Sequence, residues 1–252
     1  MLLFAMAAGS RSTPPRFDGH RADALVGLTI VLPCFGEADN LAEAVRCSTA
    51  AAERCALTHE IVIVDDGSTD QTTAVAGGLA ARDGHVRLVV HGEHRGYGEA
   101  LRSGIAAARM PWVLLIDADL QYDVGELGDF LPLARSADLV VGWRIVPQGP
   151  LGRRFGDAVW VRVLRAALEL PVRDVDCAFR LVRRDLLSRI DLRARGALVG
   201  SELVVKSRAA GARVAEVPVH HRVRVAGRQT GAGPRLAAGT ARELAALRRA
   251  HA

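Results

Sequence analysis

The chain has 252 residues, half of them apolar and 24% charged, the profile of a soluble globular protein and room for one large α/β domain. Aromatics are only 4%, so aliphatic residues and Ala must fill the core. The formal net charge is +5, carried almost wholly by Arg, and no basic run interleaved with aromatics points to nucleic acid.

The excess charge leaves two readings open: a solvated Arg-rich surface, or attraction to phosphate on a nucleotide or at a membrane. Cys34, Cys47, Cys55 and Cys177 form no C-x-x-C pair, which predicts reduced thiols and a cytoplasmic setting. Met1 to Ala8 is apolar but too short to span a bilayer and lacks a basic start, so neither a membrane span nor a secretory signal is expected.

Residues 1–26 lack periodicity and read as a flexible tail. A repeating rhythm follows. Leu28 to Pro33 is a β-rich run, and Asp39 is placed to cap a helix carrying Leu41, Ala44 and Val45 on one face. Glu60 to Val64 is a second strand, closed by Asp65-Asp66-Gly67-Ser68, with a helix over about 71–82. Val86 to Val90 is a third strand and Tyr97 to Arg109 a third helix. Trp112 to Ile116 is a fourth strand, Val124 to Ala134 a fourth helix, and Asp138 to Gly142 a fifth strand. Short continuous apolar strands alternating with helices predict a mostly parallel central sheet covered by helices on both faces. Further helices are expected at about 157–169, 183–190 and 200–210, and a short strand at Arg213 to Val219. Residues 220–233 read as a polar, Gly-rich loop, and residues 234–252 as a basic C-terminal helix. That helix either packs on the domain or rests on anionic lipid.

In open α/β sheets ligands bind beyond the carboxyl ends of the strands. Two acidic clusters stand there: Asp65, Asp66 and Asp70 after the second strand, and Asp117, Asp119, Gln121 and Asp123 after the fourth. If those strands are neighbours, the clusters meet. Such carboxylates repel one another unless a cation is present, and oxygen ligands suit Mg²⁺ or Mn²⁺. On an extended chain Asp117 and Asp119 point to one side and clamp a metal that bridges a diphosphate, with Gln121 the next residue on that side. Asp70 and Asp123 are read as turn and cap residues. Gly96-Tyr97-Gly98 lacks the ending of a phosphate loop, and Leu101 stands where a dinucleotide fingerprint needs its third glycine. It reads instead as a tight approach of backbone near a helix start.

Three ordered segments carry a resemblance: Thr29 to Glu37, Ile63 to Asp70, and Ile116 to Gln121. They are similar to family 2 glycosyltransferases of the GT-A fold, and the likeness runs on through Gly142-Trp143-Arg144, Asp174 to Leu181 and Glu216 to Val219. The later segments resemble dolichol- and polyprenyl-phosphate sugar transferases. The resemblance implies an inverting transfer of a hexose from GDP-mannose or a UDP-sugar to a polyprenyl or dolichyl phosphate or related acceptor. It implies that Pro33, Glu37 and Asp65 or Asp66 hold the nucleoside, and that Asp117, Asp119 and Gln121 hold Mg²⁺ or Mn²⁺. Arg144 and Arg180 would meet phosphate oxygens. The family's Ser-Lys is replaced here by Gly227 to Gly231, and Arg222, Arg224 or Arg228 would supply the missing charge. Gly36 also stands where the first motif usually has Asn. For a hydroxyl acceptor a base is needed, and Asp174 and Asp176 are the candidates, with capping the equal alternative.

Residues 27–233 would form the catalytic domain, attached to the membrane peripherally or through an anchoring partner. A nucleotidyltransferase would carry a Lys/Arg-containing glycine loop after the first strand, where this chain has the acidic Cys34 to Asp39. A non-catalytic nucleotide-sugar-binding scaffold would have no need to keep both acidic motifs.

Overall fold

A computed structural model describes residues 24–145 and 172–224, with Arg162, Leu164, Leu168, Glu243, Leu244 and Leu247. The strands are β1 (Leu28–Cys34), β2 (His59–Asp65), β3 (Val86–Val90), β4 (Trp112–Leu115), β5 (Leu139–Arg144), β6 (Arg180–Arg183) and β7 (Val214–Val219). The helices are α1 (Ala38–Cys55), α2 (Thr72–Arg82), α3 (Tyr97–Ala107), α4 (Leu131–Ala134), α5 (Arg184–Arg189) and α6 (Val199–Ala209), with a 3-10 helix at Val124–Phe130.

The strands form one sheet in the order β3-β2-β1-β4-β6-β5-β7, parallel except where β6 pairs with β4 and β5. Every residue of β1 is buried, as a central strand covered on both faces must be. On one face lies a core containing Leu41, Ile63 and Leu127, with Phe130 stacked on Phe179 at 4.5 Å. On the other face Leu101, Leu203 and Val204 cover Val31, Val62 and Val113. Full burial of each such large side chain stabilises by about 1.5–3 kcal/mol. The α1 helix forms because Leu41, Ala44, Val45, Ser48, Ala51, Ala52 and Cys55 recur at helical spacing and all face inward.

The expected parallel core is present, with strand and helix ends shifted by a few residues. Two expectations are corrected, one strand is added, and two conditions placed on the site are not met. Asp39 does not cap α1; it lies in the first turn, and Glu37 holds the cap position. The helix expected over 124–134 is a 3-10 turn followed by four α-helical residues, with Pro132 near the start of α4. Strand β6 was unforeseen, because its four residues sit inside a motif read only for its polar groups. Strands β2 and β4 are not neighbours: β1 lies between them. Nor does the chain stay extended past Ile116. It turns at Ala118 and Asp119, and Leu120 adopts φ 61°, left-handed backbone that a Leu tolerates only under constraint.

The helix expected over 157–169, most of the 220–233 loop, Arg228 and most of the tail and C-terminal helix lie outside the described residues. Glu243, Leu244 and Leu247 are helical; Leu247 is buried and Leu244 packs against the second core. Among the described residues no helix is long and apolar enough to cross a membrane. The four cysteines are free thiols, as expected.

Candidate active site

The strand order reverses at β1: the chain moves outward through β2 and β3, then returns to place β4 on the other side of β1. Such a switch point opens a crevice beyond the carboxyl ends of the strands. Glu37 follows β1, Asp65 and Asp66 close β2, and Asp117 and Asp119 follow β4. The two acidic clusters therefore flank the segment after β1 rather than adjoin each other.

On the β2 side the carboxylates are held from within. Asp65 accepts from the Ser68 amide at 3.0 Å and from the Thr73 hydroxyl. Asp66 accepts from the amides of Arg95 at 2.9 Å and Gly96 at 2.8 Å, and contacts the rings of His91 at 2.7 Å and His94 at 2.9 Å. His91 reaches Ser103 Oγ with its other nitrogen at 2.9 Å. The Phe35 and His94 rings meet in a tilted pair, centroids 4.3 Å apart, beside this loop. Pro33 sits in β1 opposite Val64. The turn after β1 is fixed by Gly36 at φ 71°, whose amide donates to Ser68 Oγ at 3.0 Å. Asp70 is the turn residue expected, accepting from the Thr72 amide at 3.0 Å, and Asp123 caps the 3-10 helix through the Gly125 amide at 3.0 Å.

The β4 side is different. Tyr97 donates its hydroxyl to Asp117 Oδ1 at 2.9 Å. Burial and then the Asp119 charge push the Asp117 carboxyl up to about 7, against the Tyr97 hydrogen bond. Burial likewise raises Asp119, opposed by the Gln121 amide and Arg224. Burial raises Glu37 too, with Asn40 and Arg224 pulling the other way. Arg224 bridges the two sides: Nη2 pairs with Glu37 Oε1, and Nη1 lies 3.4 Å from Asp119 Oδ2. Gln121 Nε2 donates to the Arg222 carbonyl at 3.3 Å.

The unforeseen β6 positions the expected arginine. Its register sets Arg180 opposite Leu115, at the end of β4. Arg180 is 3% exposed; Nη2 donates to the Val175 carbonyl at 2.6 Å, and Nε has no hydrogen-bond partner. Its positive charge acts to lower the Asp117 carboxyl. Gly200 gives the guanidinium room, since a Cβ there would collide with it. Arg144, at the end of β5, is held by Asp174 through Nε at 2.6 Å and Nη2 at 2.9 Å. Burial alone would raise Asp174, but the Arg144 hydrogen bonds and charge hold it below the usual aspartate range. Asp174 also accepts from the Asp176 amide at 3.2 Å, the capping geometry that the spacing allowed.

Tyr97, His91, His94 and Ser103 escaped the sequence reading. A hydroxyl aimed at a carboxylate 20 residues away leaves no spacing signal. The Gly-x-Gly around Tyr97 did: Gly98 donates to the Arg195 carbonyl at 2.7 Å, and a Cβ on it would collide with Ala194. The glycines let the 194–195 loop lie against the start of α3.

Residues 29–191 match the glycosyl transferase family 2 profile. The chain belongs to that family. An uncharacterised glycosyltransferase of Mycobacterium tuberculosis (strain ATCC 25618 / H37Rv) is 36% identical over 210 residues, covering 82% of this chain and 90% of that one. An undecaprenyl-phosphate 4-deoxy-4-formamido-L-arabinose transferase of Enterobacter sp. (strain 638) is 25% identical, covering 80% of this chain and 61% of that one. The glucosyl-3-phosphoglycerate synthase of Mycobacterium tuberculosis, solved with Mn²⁺, UDP and glucosyl-3-phosphoglycerate, shares the fold with a TM-score of 0.59 and 20% identity, over 89% of this chain and 77% of that one. The family 2 chain thus has the GT-A architecture expected of it.

The donor set on the β4 side fits a divalent cation. The Asp119 charge adds to the burial that raises Asp117, and a hard cation, which binds through one or two carboxylates, would relieve both. Among the described residues no three His, Cys, Asp or Glu side chains converge into a metal cage.

Proposed function

We propose that the protein is a metal-dependent inverting hexosyltransferase that uses GDP-mannose or a UDP-sugar and glycosylates a polyprenyl or dolichyl phosphate. The observation that carries this is the Asp117–Asp119 pair, buried and raised at a switch point, with Arg180 beside it. Asp117 and Asp119 would hold Mg²⁺ or Mn²⁺, with Gln121 Oε1 a further ligand; the cation would stabilise the departing nucleoside diphosphate as a Lewis acid. The Mn²⁺ and UDP bound by the M. tuberculosis synthase support that assignment.

Glu37, Pro33, Asp65 and Asp66 shape the nucleoside side. The last two act mainly by fixing loops, since their oxygens already accept backbone amides. Tyr97 orients Asp117. Arg180, with an unpartnered Nε, offers a buried positive group to a phosphate. Arg144 presents to the acceptor the guanidinium edge that Asp174 leaves over. Arg224 and Arg228 add charge toward the diphosphate.

The lipid-phosphate acceptor is supported by Asp174. A carboxylate clamped on Arg144 and held below its usual range is a poor general base, and an ionised phosphate acceptor needs none. Asp176 is the base that a hydroxyl acceptor would have to use. Residues 27–233 are the catalytic unit in this reading. The protein works at the cytoplasmic face of the membrane, held there by its acceptor or an anchoring partner.

The test is a screen of radiolabelled GDP- and UDP-sugars against polyprenyl phosphate with Mg²⁺ or Mn²⁺, repeated with Asp119→Ala. Lipid-linked label lost in the variant is the expected result. Transfer to hydroxyl acceptors alone would overturn the acceptor, and an unimpaired Asp119→Ala would overturn the metal role.

A further inference from the structure

Arg224 stands where two negative side chains of the crevice face each other. Glu37 and Asp119 come from different strand ends, after β1 and β4. Each is nearly buried, and each has one oxygen engaged locally: Glu37 Oε2 by Asn40 Nδ2 at 2.7 Å, Asp119 Oδ1 by the Gln121 amide at 3.1 Å. The other oxygen of each faces Arg224. Its guanidinium thus answers the same unbalanced charge that a divalent cation would.

The arginine is delivered by a strap. Past β7, residues 220–222 run along residues 121–126. The Arg222 amide donates to the Gln121 carbonyl at 2.7 Å, and Tyr122 and His221 form an antiparallel bridge. His220 clamps Glu126 through its amide at 2.9 Å and its ring at 2.5 Å, and Arg222 pairs with Asp123 at 2.5 Å. The strap therefore grips the very turn that carries Asp119, and it has its own contacts outside the crevice. It can stay docked while the Arg224 side chain moves.

We propose that Arg224 is a resident cation that exchanges with the divalent metal at Asp119, and that on exchange it turns to the diphosphate brought in with the metal. The inference rests on the metal-dependent reading above and adds the order of events to it. Asp119 Oδ2 cannot keep its guanidinium and bind a dication in the same direction, so the metal displaces Nη1. Released from Asp119 and still paired with Glu37 through Nη2, the guanidinium turns its Nη1 edge to phosphate oxygens, for which its planar fork is suited. Arg224 thus opposes the bare metal and favours the nucleoside diphosphate, two effects of opposite sign from one residue.

The experiment measures binding without turnover. Mn²⁺ alone is titrated into the full chain by electron paramagnetic resonance, for wild type and Arg224→Ala, and UDP is then titrated at saturating Mn²⁺. The variant is expected to bind Mn²⁺ about tenfold more tightly, a coupling of ordinary size between sites, and UDP more weakly. The Mn²⁺-induced rise in melting temperature should be larger in the variant than in wild type, a readout that survives any loss of basal stability. Glu126→Gln, which loosens the strap outside the crevice, should tighten Mn²⁺ binding in the same direction by less. Equal or weaker Mn²⁺ binding by Arg224→Ala, while wild type binds Mn²⁺, overturns the exchange and leaves the metal-dependent reading standing. A wild-type chain that binds no Mn²⁺, with or without UDP, overturns both.

Discussion

Asp65 and Asp66 close β2, Asp117 and Asp119 follow β4, and the two pairs direct their oxygens to different ends. The first pair accepts from Ser68, Thr73, Arg95 and Gly96, and so ties the loop over 91–96 to the sheet. The second pair accepts one phenol, one local amide and one guanidinium, and burial raises both carboxyls. Acidic residues at a strand end therefore sort by what their lone pairs already hold. A carboxylate satisfied by backbone amides builds the wall of a site. One left with a charge it cannot balance is where the proposed cation would bind.

The sharpest way to break this contrast is to neutralise one member of each pair. Asp117→Asn keeps an acceptor for Tyr97 but removes a carboxylate from the proposed metal site. Sugar transfer should fall about 10³-fold, roughly 4 kcal/mol of transition-state stabilisation. The urea unfolding free energy should hold or rise, because a buried repulsion with Asp119 has gone. Asp66→Ala should do the reverse. It strands two amides and two imidazoles, and the loss of stability is expected at about 3–5 kcal/mol in the same urea titration. Equal stability losses from both substitutions would erase the distinction.

Much of this was legible in the sequence, and the limits are instructive. The apolar runs at Leu28, Ile61 and Val113 announce buried parallel strands because each is too continuous for a one-sided sheet. Asp117 and Asp119 stand out in the sequence because an apolar strand feeds straight into them, and the fold buries both carboxyls at that strand end. Strand neighbours were not legible: nothing in residues 59–65 or 112–115 says that β1 lies between them. Nor was β6, since Arg180 to Arg183 offers only two apolar residues between arginines and takes its place only through pairing with β4 and β5. The same pairing is what sets Arg180 opposite Leu115, two residues before Asp117. The roles of Asp174 and Arg224 also needed the fold, because their partners lie 30 and 187 residues away.

A third substitution sharpens the contrast on the acceptor side. Asp174 belongs with the satisfied carboxylates, since Arg144 holds it. Its folded value is lowered, so its stabilising contribution is fully present above the unfolded aspartate value of about 3.9 and is lost as pH falls through the lower folded value. Asp174→Asn should cost about 2 kcal/mol at pH 7 by urea unfolding. Repeating the titration at successively lower pH should shrink the gap between wild type and variant only below about pH 4. A gap that closes already at pH 6 would place Asp174 with the raised carboxyls instead.

The smallest expected effect falls on the seam between the two clusters. The amides of Arg95 and Gly96 bind Asp66, and the next residue, Tyr97, binds Asp117. One short segment thus transmits the position of the β2 wall to the carboxylate at β4. Tyr97→Phe removes only the second link, because the first uses backbone donors. Asp117 loses its orienting hydrogen bond while the loop stays stapled. Transfer should fall about tenfold, equivalent to ~1.4 kcal/mol, with an unfolding free energy changed by less than that. Steady-state kinetics beside urea unfolding decides it. A larger loss of stability than of activity would mean that Tyr97 serves the wall and that Asp117 is oriented by something else.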